Sequence, residues 1–154
     1  MKTCLSVLLV ALSTVACAQS SPAYSRAVPS AAVTHGLEAA AIFALGPIGI
    51  VGKTSDEERQ FKAIFVLDQD KATQELERLY SSGNPQAMSY ALVGMRKLDR
   101  KRYAELVAAA GSSNMTVREM WGCIVEREKL RTFANNLNAG KYDSWLGWMA
   151  KPSL

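Results

Sequence analysis

The sequence predicts an all-α fold, with five to seven short helices in a single domain. Three observations predict it. From residue 55 onward apolar residues recur at spacings of three and four, capping residues stand ahead of most of those runs, and no stretch alternates strictly enough for a strand.

The N-terminus reads as an address, separate from the domain. Met1 and Lys2, an apolar run from Leu5 to Val15, and Ala16-Cys17-Ala18 follow the order of a secretory signal peptide. The run is about 11 residues long, whereas a helix crossing roughly 30 Å of hydrocarbon needs about 20. Two cleavages compete. One falls after Ala18 in an Ala-x-Ala setting; the other falls before Cys17 in Thr14-Val15-Ala16-Cys17, which resembles a bacterial lipobox with Thr14 where Leu is usual and leaves Cys17 lipidated. The expected organisation is therefore a signal peptide over 1–18, a flexible Ser-, Ala- and Pro-rich tail over 19–34, and a helical domain over 35–154. Localisation follows: periplasm, outer membrane as a lipoprotein, or the exterior.

Cysteine usage and charge narrow the chemistry. Cys4 lies in the signal and Cys17 is removed or acylated, so Cys123 stands alone and no intramolecular disulfide forms. Stability must come from an ordinary core, which one domain of this length can bury. Lys and Arg number 18 against 14 Asp and Glu, an excess that suits anionic surfaces, with nucleic acid excluded as a partner by export.

The elements follow in order. Residues 37–51 are nearly all apolar and broken by Gly46, Pro47 and Gly49, which predicts a buried helix and then an apolar loop. Ser55 with Glu58 forms a capping box for a helix from Asp56 to Leu67, with Phe61, Ile64 and Phe65 on one side. Asp68 or Asp70 caps the next helix, which carries Ala72, Leu76, Leu79 and Tyr80 inward and stops at Ser81-Ser82-Gly83. Asn84 caps a third, with Pro85 at the first helical position and Met88, Ala91, Leu92, Met95 and Leu98 on its core side. Asp99 starts a fourth that runs to Ala110 and ends on Gly111. Thr116 with Glu119 makes a second capping box ahead of Val117, Met120, Trp121 and Ile124, and a last run bearing Leu130, Phe133 and Leu137 closes on Gly140.

Ser112-Ser113-Asn114-Met115-Thr116-Val117-Arg118 resembles the turn and second-helix start of a HEAT repeat, where a polar turn precedes Val-Arg. Residues 83–98 are similar to another such helix, with Ala87-Met88 in place of Val-Arg. Over roughly residues 70–124 the resemblance implies an irregular HEAT-like, solenoid-like layer, and with it a surface that binds other proteins.

Several motifs suggest chemistry that their surroundings refuse. Residues 46–54 end in Gly52-Lys53-Thr54 like a phosphate-binding loop, but Pro47 occupies the place of the first glycine and supplies neither the amide nor a positive φ. His35 is the sole histidine, which excludes a multi-histidine metal site and reads as a surface residue. Asp68-Gln69-Asp70 opens like a calcium loop, yet Thr73 and Leu79 fill the glycine and bidentate-glutamate positions, so capping is the expected use. Cys123, beside Trp121 and Gly122 on an apolar helical face, reads as a small buried hydrophobe. Glu119, Glu126 and Glu128 are the nearest approach to a catalytic acid cluster, with Glu119 assigned to its cap and the other two to a solvated face shared with Arg127 and Lys129. Tyr142, Trp145 and Trp148 read as a stripe that docks the last helix on the core.

The best binding candidate is the elbow between the third and fourth helices, where Arg96, Lys97, Arg100, Lys101 and Arg102 place five cations within seven residues. The expected function is a non-enzymatic protein-binding or scaffolding domain of the bacterial envelope or exterior, without cofactor or metal, whose partner is another envelope or secreted protein. Two alternatives stay open: binding of anionic lipid or glycan through the elbow, and a carboxylate-based envelope hydrolase.

Overall fold

The computed structural model describes residues 35–49, 52–144 and 147. The expected signal peptide, the tail, the acylation site Cys17 and the two C-terminal tryptophans Trp145 and Trp148 lie outside the described residues. Among the described residues no helix is long and apolar enough to cross a membrane.

Among the described residues, helices form where capping and periodicity place them. Helix α1 (Asp56–Ile64) is capped by Ser55, whose hydroxyl accepts from the Glu58 amide at 2.9 Å. The other half of that capping box does not form, because the Glu58 carboxylate turns to the Gly46 amide at 2.7 Å and to Lys62 at 2.8 Å. Helix α2 (Gln69–Ser81) starts on Asp68, whose side chain accepts from the Lys71 amide, and the chain leaves it through Gly83 at φ +75°. Helix α3 (Pro85–Leu98) has the Asn84 cap and Pro85 start. Helix α4 (Arg100–Ala110) is capped by Asp99, and α5 (Leu130–Asn138) is followed by Gly140 at φ +85°. The HEAT-like reading and the all-α class both fail beyond these elements.

A four-stranded mixed sheet overturns the all-α expectation. Strand β1 (Phe43–Ile48) lies where a buried helix was expected, and β3 (Thr116–Gly122) and β4 (Ile124–Lys129) replace the expected capped helix bearing Val117, Met120, Trp121 and Ile124. With β2 (Lys53–Thr54) the order across the sheet is β2-β1-β3-β4; β1 runs parallel to β3, and the other pairs are antiparallel. Helices α1 to α4 thus form the crossover between the two central strands. The second capping box is absent: Thr116 pairs with Lys129, and Glu119 is a strand residue opposite Glu126. Gly122 and Cys123 form the two-residue turn between β3 and β4, with positive φ at Gly122 alone, as a type II′ hairpin requires.

Helix α3 is the centre of the molecule. Every residue from Gln86 to Met95 is buried, as expected of a helix surrounded on all sides, and it packs against α2, α4, α5, β1 and β3. Gly94 lets α2 approach, since a Cβ there would lie 2.5 Å from Leu76 Cδ2. Between helices and sheet lies an aromatic cluster: Phe43 stands 4.7 Å from Tyr90, 5.0 Å from Phe133 and 6.2 Å from Tyr142 by ring centroids. Because β2 pairs only with residues 47 and 48, the nearer end of β1 needs other hydrogen-bond partners. The Tyr90 hydroxyl supplies them at Ala44, accepting from its amide at 2.8 Å and donating to its carbonyl at 3.0 Å, and Glu58 does so at the Gly46 amide.

Candidate functional site

The elbow forms because one residue ends a helix and starts another. Asp99 stands in extended backbone, its amide donating to the Met95 carbonyl at 2.8 Å while its carboxylate accepts from the Arg102 amide at 2.9 Å. Arg96 and Lys97 therefore occupy the last turn of α3, where a helix's negative end favours cations. Arg100, Lys101 and Arg102 occupy the first turn of α4, which holds no acidic residue. That end favours anions, so three of the five cations stand where the helix dipole opposes them.

The five are engaged unequally. Arg102 pairs with Glu105 at 2.6 Å and Glu77 at 2.7 Å, and these hydrogen bonds, Glu105 first, push its guanidinium further toward the charged form. Lys97 lies 4.8 Å from the centre of the Phe65 ring, a cation–π contact that does not neutralise its charge, and no carboxylate among the described residues pairs with it. Arg96 is held by the Asp143 carboxylate, with the arginine side chain 13% exposed and the aspartate 57%. Arg100 and Lys101 are exposed, and among the described residues no ion pair holds either. Arg96, Lys97, Arg100 and Asp143 line a cleft of about 350 Å³, at the small end of the roughly 300–1,000 Å³ common for ligand sites. The elbow is thus a concave, incompletely neutralised cationic site from which Arg102 is withdrawn by its own acids.

Asp143 reaches the elbow from the segment after α5. Lys141 and Tyr142 fasten that segment to the sheet: Lys141 Nζ lies 3.0 Å from Glu119 Oε1, and the buried Tyr142 hydroxyl donates to Glu119 Oε2 at 2.8 Å, with Glu128 Oε1 at 3.3 Å. Tyr142 also stacks on Trp121 at 5.5 Å, so it docks on the core as the aromatic stripe predicts. Burial, then the charge on Glu119, pushes the Tyr142 phenol far up. Glu128 is likewise pushed up, by burial first and by the Glu119 charge second.

The three glutamates separate in two ways. Glu119 is 1% exposed and Glu128 turns toward it, contrary to the cap and the solvated face expected of them, whereas Glu126 is exposed as expected. The Tyr142 phenol fills the space between the two convergent carboxyls that a scissile bond would need. Cys123 is exposed at the hairpin turn, against the expected burial, because the segment is a turn and not a helix face. His35 is exposed, and Asp68 caps α2, as the sequence predicts.

Sequence reasoning found the elbow but missed Asp143, since nothing local connects it to Arg96. The chain matches no protein-family model, no curated protein and no solved structure, so function rests on the geometry of the site.

Proposed function

We propose that this chain is an exported, non-enzymatic binding domain that engages an anionic group on an envelope or secreted partner through Arg96, Lys97 and Arg100, with Lys101 at the rim. The observation that carries the reading is the cleft at the elbow, whose described lining is three cations and one carboxylate. Cations that only solubilise a surface are dispersed and paired; here they converge on a concavity, at a helix end whose dipole adds to their field. The cations supply steering and orientation, and among the described lining residues none offers a nucleophile beside a base.

The test is in-cell crosslinking of the tagged mature protein, with Arg100→Ala plus Lys101→Ala as the comparison. A dominant partner lost in the double variant is expected, and its recapture by the purified mature protein is expected to weaken as salt rises from about 50 to about 500 mM and the screening length, ~10 Å at 0.1 M, shrinks. Partner capture that is indifferent to both changes overturns the reading.

A further inference from the structure

We propose that Asp143 is a built-in occupant of the elbow cleft, and that the ligand is a compact phosphate-bearing group that enters by displacing Asp143 from Arg96. The inference rests on the binding reading above and adds to it the ligand class and a competitor.

The two partners of the Arg96–Asp143 pair are unequal. Arg96 is nearly buried at the cleft wall while the aspartate stays more than half exposed, so the cation is the fixed member and the carboxylate the movable one. Asp143 reaches this place through a tight turn at Gly140, where φ is +85° and an added Cβ would come within 2.8 Å of Asp143 Oδ2. The Asp143 amide donates to the Gly140 carbonyl at 3.0 Å, which holds the backbone while the side chain stays able to turn outward. One carboxylate does not neutralise the three cations that share its cleft. A phosphate group offers up to two negative charges and three acceptor oxygens, and so answers Arg96, Lys97 and Arg100 together where Asp143 answers one.

The cleft, about 350 Å³ and open to solvent, has room for a single head group or one phosphorylated sugar. A lipid headgroup and a soluble phosphate share this chemistry, and the experiment separates them.

The mature full chain is titrated at constant ionic strength with inorganic phosphate by calorimetry. In parallel it is mixed with vesicles of phosphatidic acid, whose headgroup is a phosphate monoester, in phosphatidylcholine and with phosphatidylcholine alone. Removing the competitor in Asp143→Asn is expected to tighten binding by about two- to fivefold, the scale of one ion pair with a largely exposed partner, and Arg96→Gln is expected to abolish the gain. Tightening toward phosphate assigns a soluble ligand; tightening toward the anionic vesicles alone assigns a headgroup. Asp143→Ala, which removes the carboxylate without adding a donor, repeats the test should the Asn variant misfold. Wild-type binding that depends on Arg100 but is unchanged or weakened in both Asp143 variants overturns the displacement and leaves the binding reading standing. Absence of binding to phosphate and vesicles by every variant overturns the phosphate assignment, and the crosslinking experiment then decides the binding reading separately.

Discussion

Tyr90 shows how one atom can complete a strand. Its ring belongs to the aromatic core, 4.7 Å from Phe43 and 5.3 Å from Phe61, while its hydroxyl serves both backbone groups of Ala44. Burial and the loss of solvation push this phenol up, so it remains a neutral donor through the whole range in which proteins fold. Tyr90→Phe keeps the packing and removes only the oxygen, stranding a buried amide and a buried carbonyl. The expected loss is about 1–3 kcal/mol, read as a lower denaturant midpoint at unchanged slope; a midpoint equal to wild type would show that Ala44 finds other partners. None of this was legible in the sequence. Spacing predicts Met88, Ala91, Leu92 and Met95 for the core side of α3, but the helix is buried all round, and a tyrosine's second role depends on a strand far away in the chain. The elbow divides in the same way: its cations are contiguous and readable, whereas the acids that engage them, Glu77 and Asp143, arrive from other segments.

At the scale of elements, what could be read was what is local. Ser55, Asp68, Asn84 and Asp99 each accept a hydrogen bond from an amide two or three residues on, so the helix starts follow from adjacent residues. The β3–β4 hairpin was hidden because its residues also satisfy a helix. Val117, Met120, Trp121 and Ile124 stand at spacings of three, four and seven, yet the actual period is two, with Val117, Glu119 and Trp121 sharing the face toward the helices. A glutamate at the inward position breaks the apolar alternation that would announce the strand, and β4 has no apolar face at all. Charge pattern misleads as well: Arg118 stands opposite Arg127 and Glu119 opposite Glu126, pairs that disfavour this register by themselves. The remaining local signal was Gly122-Cys123 between Trp121 and Ile124-Val125, a two-residue turn flanked by strand formers. Gly122 gives a test by sign. Its φ is +58° and nothing lies within 4 Å of an added Cβ, so Gly122→Ala meets only backbone strain. The variant is expected to lose about 1–2 kcal/mol, whereas a helix through this segment would gain about 1 kcal/mol from the same change; thermal unfolding of the two proteins distinguishes them.

Across the whole molecule, the chain joins the sheet to the helical layer through the crossover of α1 to α4 between β1 and β3 and through the step from β4 into α5, and residues 141–143 add a further join, touching the sheet with Lys141 and Tyr142 and the elbow with Asp143. The join through residues 141–143 carries a titratable group. One phenolic proton serves two carboxyls, and it lies nearer Glu119, at 2.8 Å against 3.3 Å for Glu128. Around Glu128 stand Glu119 and Glu126, which disfavour its charge, Lys141 and the Tyr142 hydroxyl, which favour it, and Asn136, whose amide donates to Oε2 at 2.9 Å. Burial and Glu119 prevail, so the Glu128 carboxyl binds its proton more tightly in the folded chain than in the unfolded one. The folded state then holds more protons in the interval between the two pKa values, and stability contributed by protonated Glu128 is complete below the unfolded value and lost as pH rises through the folded one. Glu128→Gln reproduces the protonated group, with an oxygen to accept from Asn136 and an amide to donate to the Tyr142 oxygen. Melting temperatures measured from about pH 4 upward, where an ordinary glutamate titrates, should nearly coincide for the two proteins at the acid end and separate in favour of the Gln variant as pH rises. A difference constant over that interval would remove Glu128 from the pH response and leave residues 141–143 as a purely mechanical join.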